Sequence, residues 1–173
     1  MQEVLVVVDM QNDFIDGALG SAEAQAIVPY VIDRVKNFPG PVIFTRDTHT
    51  KEYLSTQEGE HLPVVHCVKG TPGWEIQADL EALRKTPAID KETFGAKALP
   101  EALAALDAKE PLKKVTFLGL DTDICVISNV LLTKAFFPEL PLAVDAKGCA
   151  GVTPASHENA LQALAVCQVA IER

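Results

Sequence analysis

The sequence predicts an α/β protein with a three-layer α/β/α architecture and a doubly wound, mainly parallel sheet. Short runs of β-branched residues and leucine recur along the chain, helical patterns separate them, and the two kinds of segment alternate throughout. The unbroken apolar run Val4–Val8 is typical of a strand that is buried on both faces of a parallel sheet. Because alternating strands and helices bury their apolar faces most simply around one sheet, we expect helices on both of its faces.

The individual elements follow from local patterns. After Val4–Val8, apolar runs predict further strands at Val42–Thr45, Thr86–Ile89, Val115–Leu118, Leu140–Val144 and Val166–Ile171. Between them, helical patterns occupy Ala24–Phe38, Gln77–Arg84, Leu99–Ala108, Asp123–Phe136 and Pro154–Leu164. The last helix has Thr153 as its predicted N-cap and a proline in its first position, which is a favourable helix start.

Length and composition narrow the class of protein. A chain of 173 residues without repeats or a flexible linker predicts one domain, residues 1–173. The 15 Lys+Arg and 24 Asp+Glu residues give a net charge of −9, which argues against nucleic-acid binding because phosphate contacts need basic density. No apolar window approaches the roughly 18 residues of a membrane span. The expectation is a cytoplasmic protein that binds neither nucleic acid nor membrane.

The four cysteines lie far apart and form no C-x-x-C pair, so neither a disulfide scaffold nor a zinc ribbon is expected. Cys167 lies in the last predicted strand and is expected in the core, and Cys149 near the edge of a site. His157, in the first turn of the last helix, is expected to be exposed.

Polar residues follow several of the predicted strands, where a doubly wound sheet places its site. Asp9 follows the first strand, Asp47 and His49 the second, Lys91 the third and Cys125 the next. The segment from about residue 46 to residue 74 has no clear periodicity and holds three of the four histidines. Long loops in compact domains are usually functional, so this segment is a candidate part of the site.

Cys125 has two interpretations. It follows a strand and begins a helix, where the helix N-terminus and a neighbouring cation favour a nucleophilic thiolate at neutral pH. Backbone N–H groups at such a helix start also point to where an oxyanion would form. Alternatively, Cys125 is a small buried apolar residue, which is common for a free cysteine.

Asp9 and Lys91 each have two interpretations when taken alone, and for an isolated lysine the solvated one is favoured. Asp9 is either a general base that takes the thiol proton or the cap of a turn. Lys91 is either a solvated charge at a strand end or the cation that holds a thiolate and a carboxylate together. Only the expected proximity of both residues to Cys125 favours the catalytic interpretation.

Asp47 and His49 form an Asp-x-His pair at a strand end, and His61 and His66 follow in the long segment. One carboxylate with two imidazoles suits Zn²⁺, Fe²⁺ or Mn²⁺. The alternative is that Asp47 pairs with Arg46 or Lys51 and that the histidines lie on the surface.

Five motifs in order give the whole chain a resemblance to the cysteine hydrolases of the isochorismatase-like superfamily, and among them to the nicotinamidases and pyrazinamidases. They are D-x-Q-x-D-F at 9–14, T-R-D-x-H at 45–49, H-C-V-x-G-T-x-G at 66–73, K-x-x-F at 91–94 and G-x-x-T-[DE]-x-C-V at 119–126. Five motifs in the right order are far more specific than any one alone.

The resemblance implies a triad of Asp9, Lys91 and Cys125, and a divalent metal, Zn or else Fe or Mn, held by three ligands: Asp47, His49 and His66. It implies attack of the cysteine on a small-molecule amide, a thioester intermediate and release of ammonia. In nicotinamidases the metal typically holds the pyridine nitrogen of the substrate. The backbone N–H groups of Asp121 and Cys125 would form the oxyanion hole, after a cis peptide bond at Leu120–Asp121.

Substrate contacts are expected from Phe14, Trp74, Leu120 and Asp121. Two departures from the family pattern affect this pocket. Pro63 stands where nicotinamidases often have an aromatic residue, and Glu58, Glu60 or His61 could add a metal ligand.

The leading hypothesis is a metal-dependent hydrolase that converts nicotinamide to nicotinate and ammonia. The alternatives are another amide or ureido hydrolase of the superfamily and, from a different class, a non-catalytic binder or a redox thiol protein. Family members often assemble, so a homo-oligomer is expected.

Overall fold

The computed structural model describes residues 1–173 and contains one six-stranded sheet in which all neighbouring strands are parallel. The strands are β1 (Gln2–Val8), β2 (Val42–Asp47), β3 (Ile89–Lys91), β4 (Leu112–Leu120), β5 (Leu142–Ala150) and β6 (Ala170–Glu172). Their order in the sheet is β3-β2-β1-β4-β5-β6. The three-layer, doubly wound architecture predicted from the sequence is therefore confirmed.

Helices cover both faces of the sheet. They are α1 (Asn12–Ile15), α2 (Ala22–Asn37), α3 (Gln57–His61), α4 (Ala78–Leu83), α5 (Leu99–Asp107), α6 (Ile127–Phe136) and α7 (Pro154–Val166). The helix α2 contacts α1, α4 and the sheet, whereas α6 contacts α5 and α7. No helix is both long enough and apolar enough to cross a membrane.

The core lies around β1, whose residues Val4–Val8 are completely buried, as their apolar run predicts. The neighbouring strand β4 approaches β1 very closely at Gly119. A Cβ atom at this position would lie 2.1 Å from the carbonyl oxygen of Val8, and the backbone of Gly119 has a φ of +121°. Only glycine fits such an approach, which lets the chain after β4 turn across the end of β1.

The strand order reverses between β1 and β4, so the ends of these strands form the crevice where doubly wound sheets bind ligands. Asp9 leaves β1 at this edge, and the residues after Leu120 leave β4 beside it. Because all strands of this sheet are parallel, the polar residues at their carboxyl ends share one edge, as the sequence predicted.

The third strand differs from its predicted position. The sequence pattern favoured Thr86–Ile89, but β3 begins at Ile89 and ends at Lys91. Pairing with β2 decides this register, because Asp47 lies directly opposite Lys91 in the parallel ladder. Lys91 therefore belongs to the strand itself and is buried at its end.

The last strand also differs. The apolar run Val166–Ile171 predicted a strand, but α7 continues to Val166 and only Ala170–Glu172 pairs with β5. Cys167 is the C-cap residue of α7 and is exposed, so its expected place in the core is wrong. A short apolar run does not by itself distinguish the end of a helix from a strand. The predicted capping of the same helix is confirmed, because Thr153 and Ser156 form a capping box.

Candidate active site

Three side chains from separate strand ends meet in the buried crevice. Nζ of Lys91 lies 2.7 Å from Oδ2 of Asp9 and 3.3 Å from Sγ of Cys125. All three side chains are at least nine-tenths buried. The structure thus brings together the carboxylate, the ammonium and the thiol that the sequence placed after the first, the third and the fourth predicted strands.

Local backbone geometry aims Asp9 at this cluster. Asp9 has a φ of +47°, a left-handed conformation that aspartate adopts more readily than most residues, and it ends β1 abruptly. The hydroxyl of Thr45 donates a hydrogen bond to Oδ1 of Asp9 at 2.7 Å, which leaves Oδ2 for Lys91. Sequence reasoning did not identify Thr45, although it belongs to one of the motifs.

Cys125 lies in a π-helical turn, Thr122–Val126, which leads directly into α6. The side chain of Asn129 donates a hydrogen bond to the carbonyl oxygen of Cys125 at 2.8 Å and accepts one from the N–H of Ala96. Asn129 therefore joins the turn to the segment that follows Lys91. The sequence contained this buried asparagine but gave no signal of its role.

Burial and neighbouring charges shift the pKa values of all three groups in this cluster. Burial and the Asp9 carboxylate raise the pKa of the Cys125 thiol well above its ordinary value, although Lys91 opposes them. Burial also raises the pKa of Asp9 against the pull of Lys91. Burial lowers the pKa of Lys91, but the groups around it outweigh this effect and hold it above its ordinary value. Burial thus favours the neutral form of the Cys125 thiol, and the neighbouring carboxylates favour the charged form of Lys91.

A second cluster adjoins the first. One ligand atom each from Asp47, His49, Glu58 and His66 lies within 4.8 Å of the others. Oδ2 of Asp47 is 2.8 Å from Nε2 of His49, and the other oxygen, Oδ1, is 3.3 Å from Nζ of Lys91. Asp47 therefore links the two clusters.

The histidines of this cluster are oriented as metal ligands. Nδ1 of His66 hydrogen-bonds to the carbonyl oxygen of Val64 at 2.7 Å, which leaves Nε2 with a free lone pair facing Asp47. Nε2 of His49 is buried and lies 2.8 Å from Oδ2 of Asp47, but the two atoms are not aligned for a hydrogen bond. A buried polar atom without a partner is costly, and a divalent cation shared with the carboxylates would satisfy it. The residues present therefore fit such a cation.

The negative charge of the carboxylates in this cluster favours the binding of a cation. Burial raises the pKa of Asp47, but His49, His66 and Lys91 outweigh it and hold that pKa far below its ordinary value. Burial lowers the pKa of His49, but Asp47 and Glu58 outweigh it and raise the pKa to about 9. The carboxylates thus favour positive charge at this point, which a proton or a metal ion can supply.

Of the three candidates for an additional metal ligand, only Glu58 belongs to the cluster. Glu58 points into the cluster, with Oε1 3.5 Å from Nε2 of His49, whereas Glu60 and His61 are exposed. The short helix can approach because of Gly59, where a Cβ atom would lie 2.1 Å from the carbonyl oxygen of Tyr53. Tyr53 is fully buried, and its ring packs edge-on against both His49 and His66.

The side chains of Gln11 and Asp13 hold the backbone of this cluster in place through hydrogen bonds. The side chain of Gln11 donates to the carbonyl oxygen of Asp47 at 2.8 Å and accepts from its N–H at 2.7 Å. Asp13 accepts a hydrogen bond from the N–H of Cys67 at 2.7 Å and so fixes the residue after His66. Both belong to the first motif of the sequence, but the spacing alone did not indicate these contacts.

A cavity of about 830 Å³ opens onto both clusters. Cys125, Asp47 and His66 line it, together with Phe14 and Asp121, which the sequence predicted to contact substrate. Leu120 is completely buried and does not line the cavity, although its peptide bond to Asp121 is cis as expected.

Trp74 does not line the cavity either. Its ring packs against the guanidinium of Arg46, 3.6 Å from the ring centroid, and its indole N–H donates to the hydroxyl of Thr48 at 2.9 Å. These contacts hold the ring away from the cavity, so the structure does not support its predicted place beside substrate. Phe14 is the aromatic residue of the predicted set that lies there.

His157 is not exposed as expected. Its Nδ1 lies 2.7 Å from the hydroxyl of Thr122, which is completely buried in the turn that carries Cys125. Burial lowers the pKa of His157. His157 therefore packs against the turn that carries Cys125 and is only partly accessible to solvent. The fourth cysteine, Cys149, is buried on β5.

Comparison with protein families agrees with this geometry. The family model for the isochorismatase domain matches residues 3–172. The chain belongs to the isochorismatase family. A comparison with curated protein sequences finds no match.

Solved structures of this family superimpose over nearly the whole chain. A pyrazinamidase of Pyrococcus horikoshii in complex with zinc has a TM-score of 0.81 and 26% identity, covering 99% of this chain and 98% of that one. A nicotinamidase/pyrazinamidase of Bacillus subtilis has a TM-score of 0.83 and 22% identity, covering 100% of both chains. An N-carbamoylsarcosine amidase of Thermoplasma acidophilum has a TM-score of 0.78 and 24% identity, covering 100% of this chain and 96% of that one. The family member described here thus has a hydrolase fold close to that of the nicotinamidases.

Proposed function

We propose that this protein is a metal-dependent amidohydrolase that converts nicotinamide to nicotinate and ammonia. The observation that carries the proposal is the position of Lys91, whose Nζ contacts both the Asp9 carboxylate and the Cys125 thiol. These residues lie beside four potential metal ligands, and Cys125 and three of these ligands line one cavity. A nucleophile, a base and a cation site around one cavity are the parts that hydrolysis of a small amide needs.

In the first half of the proposed reaction, Asp9 accepts the thiol proton of Cys125. This transfer moves the negative charge from the Asp9 carboxylate to the sulfur, where the Lys91 ammonium stabilises it, and the sulfur then attacks the amide carbonyl carbon. The backbone N–H groups of Asp121 and Cys125 stabilise the oxyanion. Asp9 returns its proton to the leaving nitrogen, the carbon–nitrogen bond breaks, and ammonia leaves a thioester on Cys125.

In the second half, Asp9 takes a proton from a water molecule, whose oxygen attacks the thioester carbonyl. The carbon–sulfur bond breaks, the acid is released, and the proton held by Asp9 returns to the sulfur. The raised pKa of Asp9 suits both steps, because a base with a higher pKa accepts a proton from a thiol or water more readily.

The metal in this proposal is divalent, with zinc as the first candidate, and its ligands are Asp47, His49, Glu58 and His66. When bound, it supplies a Lewis acid that can hold a ring nitrogen of the substrate and orient the amide towards Cys125. Phe14 lies in the cavity where its ring can pack against the substrate ring. The triad and this ligand set remain proposals, as does assembly into a homo-oligomer.

The direct test is release of ammonia from nicotinamide by the purified, zinc-loaded protein. We expect Cys125→Ala to lower turnover by roughly 1,000-fold or more, because the proposed catalytic residues act together and cannot form the thioester without the nucleophile. Cys167→Ser is the matched control, because this cysteine is exposed at the end of α7 and should leave turnover unchanged. Absence of ammonia in the zinc-loaded protein would exclude nicotinamide, and undiminished turnover in Cys125→Ala would exclude the nucleophile.

The second candidate is hydrolysis of another small amide or a ureido compound. Two observations support this second candidate: the structural likeness to an N-carbamoylsarcosine amidase, and the proline at position 63, where nicotinamidases often have an aromatic residue. A panel of amides and ureido compounds, assayed for ammonia, distinguishes the two. A non-catalytic binder or a redox thiol protein would release ammonia from none of them.

A further inference from the structure

The side chains of Asp, Glu, Lys and Arg type that line the substrate cavity are all acidic. Four acidic residues line the cavity, namely Asp47, Glu58, Glu92 and Asp121, and no lysine or arginine does. Asp47 and Glu58 belong to the cluster that a divalent cation would neutralise. The buried carboxylate of Asp9 is balanced by Lys91. The charges that remain to face a substrate are those of Asp121 and the exposed Glu92.

Asp121 occupies a position where an aspartate side chain ordinarily makes a hydrogen bond within the protein. It is the N-cap residue of the turn Thr122–Val126, and an aspartate there usually accepts a hydrogen bond from a backbone N–H of the first turn. Its side chain makes no such bond. Only its carbonyl oxygen is used, by the N–H groups of Ile124 and Val126 at 3.1 and 3.0 Å.

Asp121 is half-buried and lines the cavity, and its carboxylate has no hydrogen-bond or ion-pair partner within the protein. Burial, followed by the carboxylates of Asp123 and Asp9, raises the pKa of Asp121 to about 7, while His66 opposes them. Both observations mean that the negative charge at this position is unfavourable in the free protein. A substrate that brings a hydrogen-bond donor or a positive charge would relieve it.

We propose that Asp121 determines substrate specificity by accepting a hydrogen bond from an N–H donor on the non-reacting part of the amide, so that cationic or neutral donor-bearing amides are favoured and carboxylate-bearing amides are rejected. This inference rests on the proposed amidohydrolase function. An anionic substrate would meet an uncompensated carboxylate, and no side-chain cation on the cavity wall would offset the repulsion.

The test uses three nicotinamides substituted at the same ring carbon with an aminomethyl, a hydroxymethyl or a carboxylate group. For the zinc-loaded protein at alkaline pH, we expect kcat/KM to decrease in that order. A charge-assisted hydrogen bond predicts a ratio between the aminomethyl and carboxylate compounds of roughly tenfold or more. Asp121→Asn, which keeps the size of the side chain and removes its charge, should reduce that ratio by roughly tenfold, mainly through KM.

Glu92→Gln is the matched control, since Glu92 also lines the cavity but is exposed. It removes the same charge, and we expect it to leave the ratio within about twofold of wild type because exposed charges are screened. Equal loss of the ratio in both variants would show that general attraction, and not Asp121, discriminates between the substrates. An unchanged ratio in Asp121→Asn, or a wild-type preference for the carboxylate compound, would overturn the inference.

A binding measurement separates failure of this inference from failure of the proposed function. Calorimetric titration of the zinc-loaded Cys125→Ala protein with the same three compounds reports affinity without turnover. The expected order of binding without ammonia release from wild type would support ligand recognition by Asp121 and contradict the proposed function. Ammonia release with equal affinities for all three compounds would support the proposed function and overturn the inference about Asp121. Unfolding midpoints of each variant confirm that the folds being compared are intact.

Discussion

Nζ of Lys91 and Oδ2 of Asp9 form a completely buried ion pair at 2.7 Å, and they reach it from the ends of two strands that are not neighbours in the sheet. A buried charge without its partner is strongly destabilising. The pair is therefore both the centre of the proposed chemistry and a structural constraint, and substitutions should reveal these two roles separately.

Removal of the lysine charge should destabilise the protein. Lys91→Met leaves Asp9 buried without its cation, and the loss of one partner of a buried pair typically costs about 3–5 kcal/mol. We expect a Tm lower by roughly 10 °C in zinc-saturated protein. The double variant Asp9→Asn/Lys91→Met should recover part of this loss while remaining inactive. Lys113→Met, which removes a lysine from an exposed ion pair with Glu3, should change Tm little. Equal losses in the two lysine variants would contradict the role of burial.

Metal affinity should distinguish Glu58 from its neighbour on α3. Glu58→Ala removes a ligand atom from the cluster, and we expect zinc affinity to fall by roughly 10–100-fold. Glu60→Ala is the control, because this residue lies on the same helix and is exposed. Competition for zinc with a chromophoric chelator measures both variants. Unaltered affinity in Glu58→Ala would remove this residue from the ligand set.

The acid limb of the pH–rate profile should report Asp9. A base must be ionised to act, so kcat/KM should fall as pH decreases through the pKa of Asp9, which burial holds above its ordinary value of 3.8. Thr45→Val removes the hydrogen bond that favours the ionised form, and it should move this limb upward by roughly one pH unit. Zinc content must be measured at each pH, because loss of metal would produce a limb that Thr45→Val does not move.

The Asp121 carboxylate should reduce stability at neutral and alkaline pH. Its pKa is about 7 in the folded protein against an ordinary value of 3.8, so the folded state binds more protons between these values and wild-type stability decreases as pH rises through that window. Asp121→Asn lacks this titration. We expect its Tm advantage over wild type to grow from about pH 4 to about pH 7 and then to level off. Thermal unfolding across this range checks it, and a pH-independent difference would argue against a raised pKa.

Much of the fold was predictable because its signals are local. The apolar run Val4–Val8 indicated a doubly buried strand, and the cap at Thr153 marked the start of α7. Failures occurred where neighbours decide the structure. The run from Val166 extends a helix instead of forming a strand, and β3 takes its limits from pairing with β2. Such pairings join residues distant in sequence, and no local pattern contains them.

The candidate site divides in the same way. The order of strands and helices placed Asp9, Asp47, Lys91 and Cys125 at one edge, since parallel strands all end on the same side of a sheet. The pattern could not choose among Glu58, Glu60 and His61, because that choice depends on how α3 packs against Tyr53. Likewise, only the contact of Trp74 with Arg46 shows that this ring turns away from the cavity.

The sequence by itself thus determined the fold class and which chemical groups gather at the edge of the sheet, since periodicity and strand ends are written in consecutive residues. The tertiary structure alone decided which atoms touch, that burial raises the pKa of the Cys125 thiol, and that Asp121 lines the cavity with a carboxylate that has no partner. Orientation and desolvation arise from packing between distant segments, and these determine the pKa values and ligand contacts on which the chemistry depends.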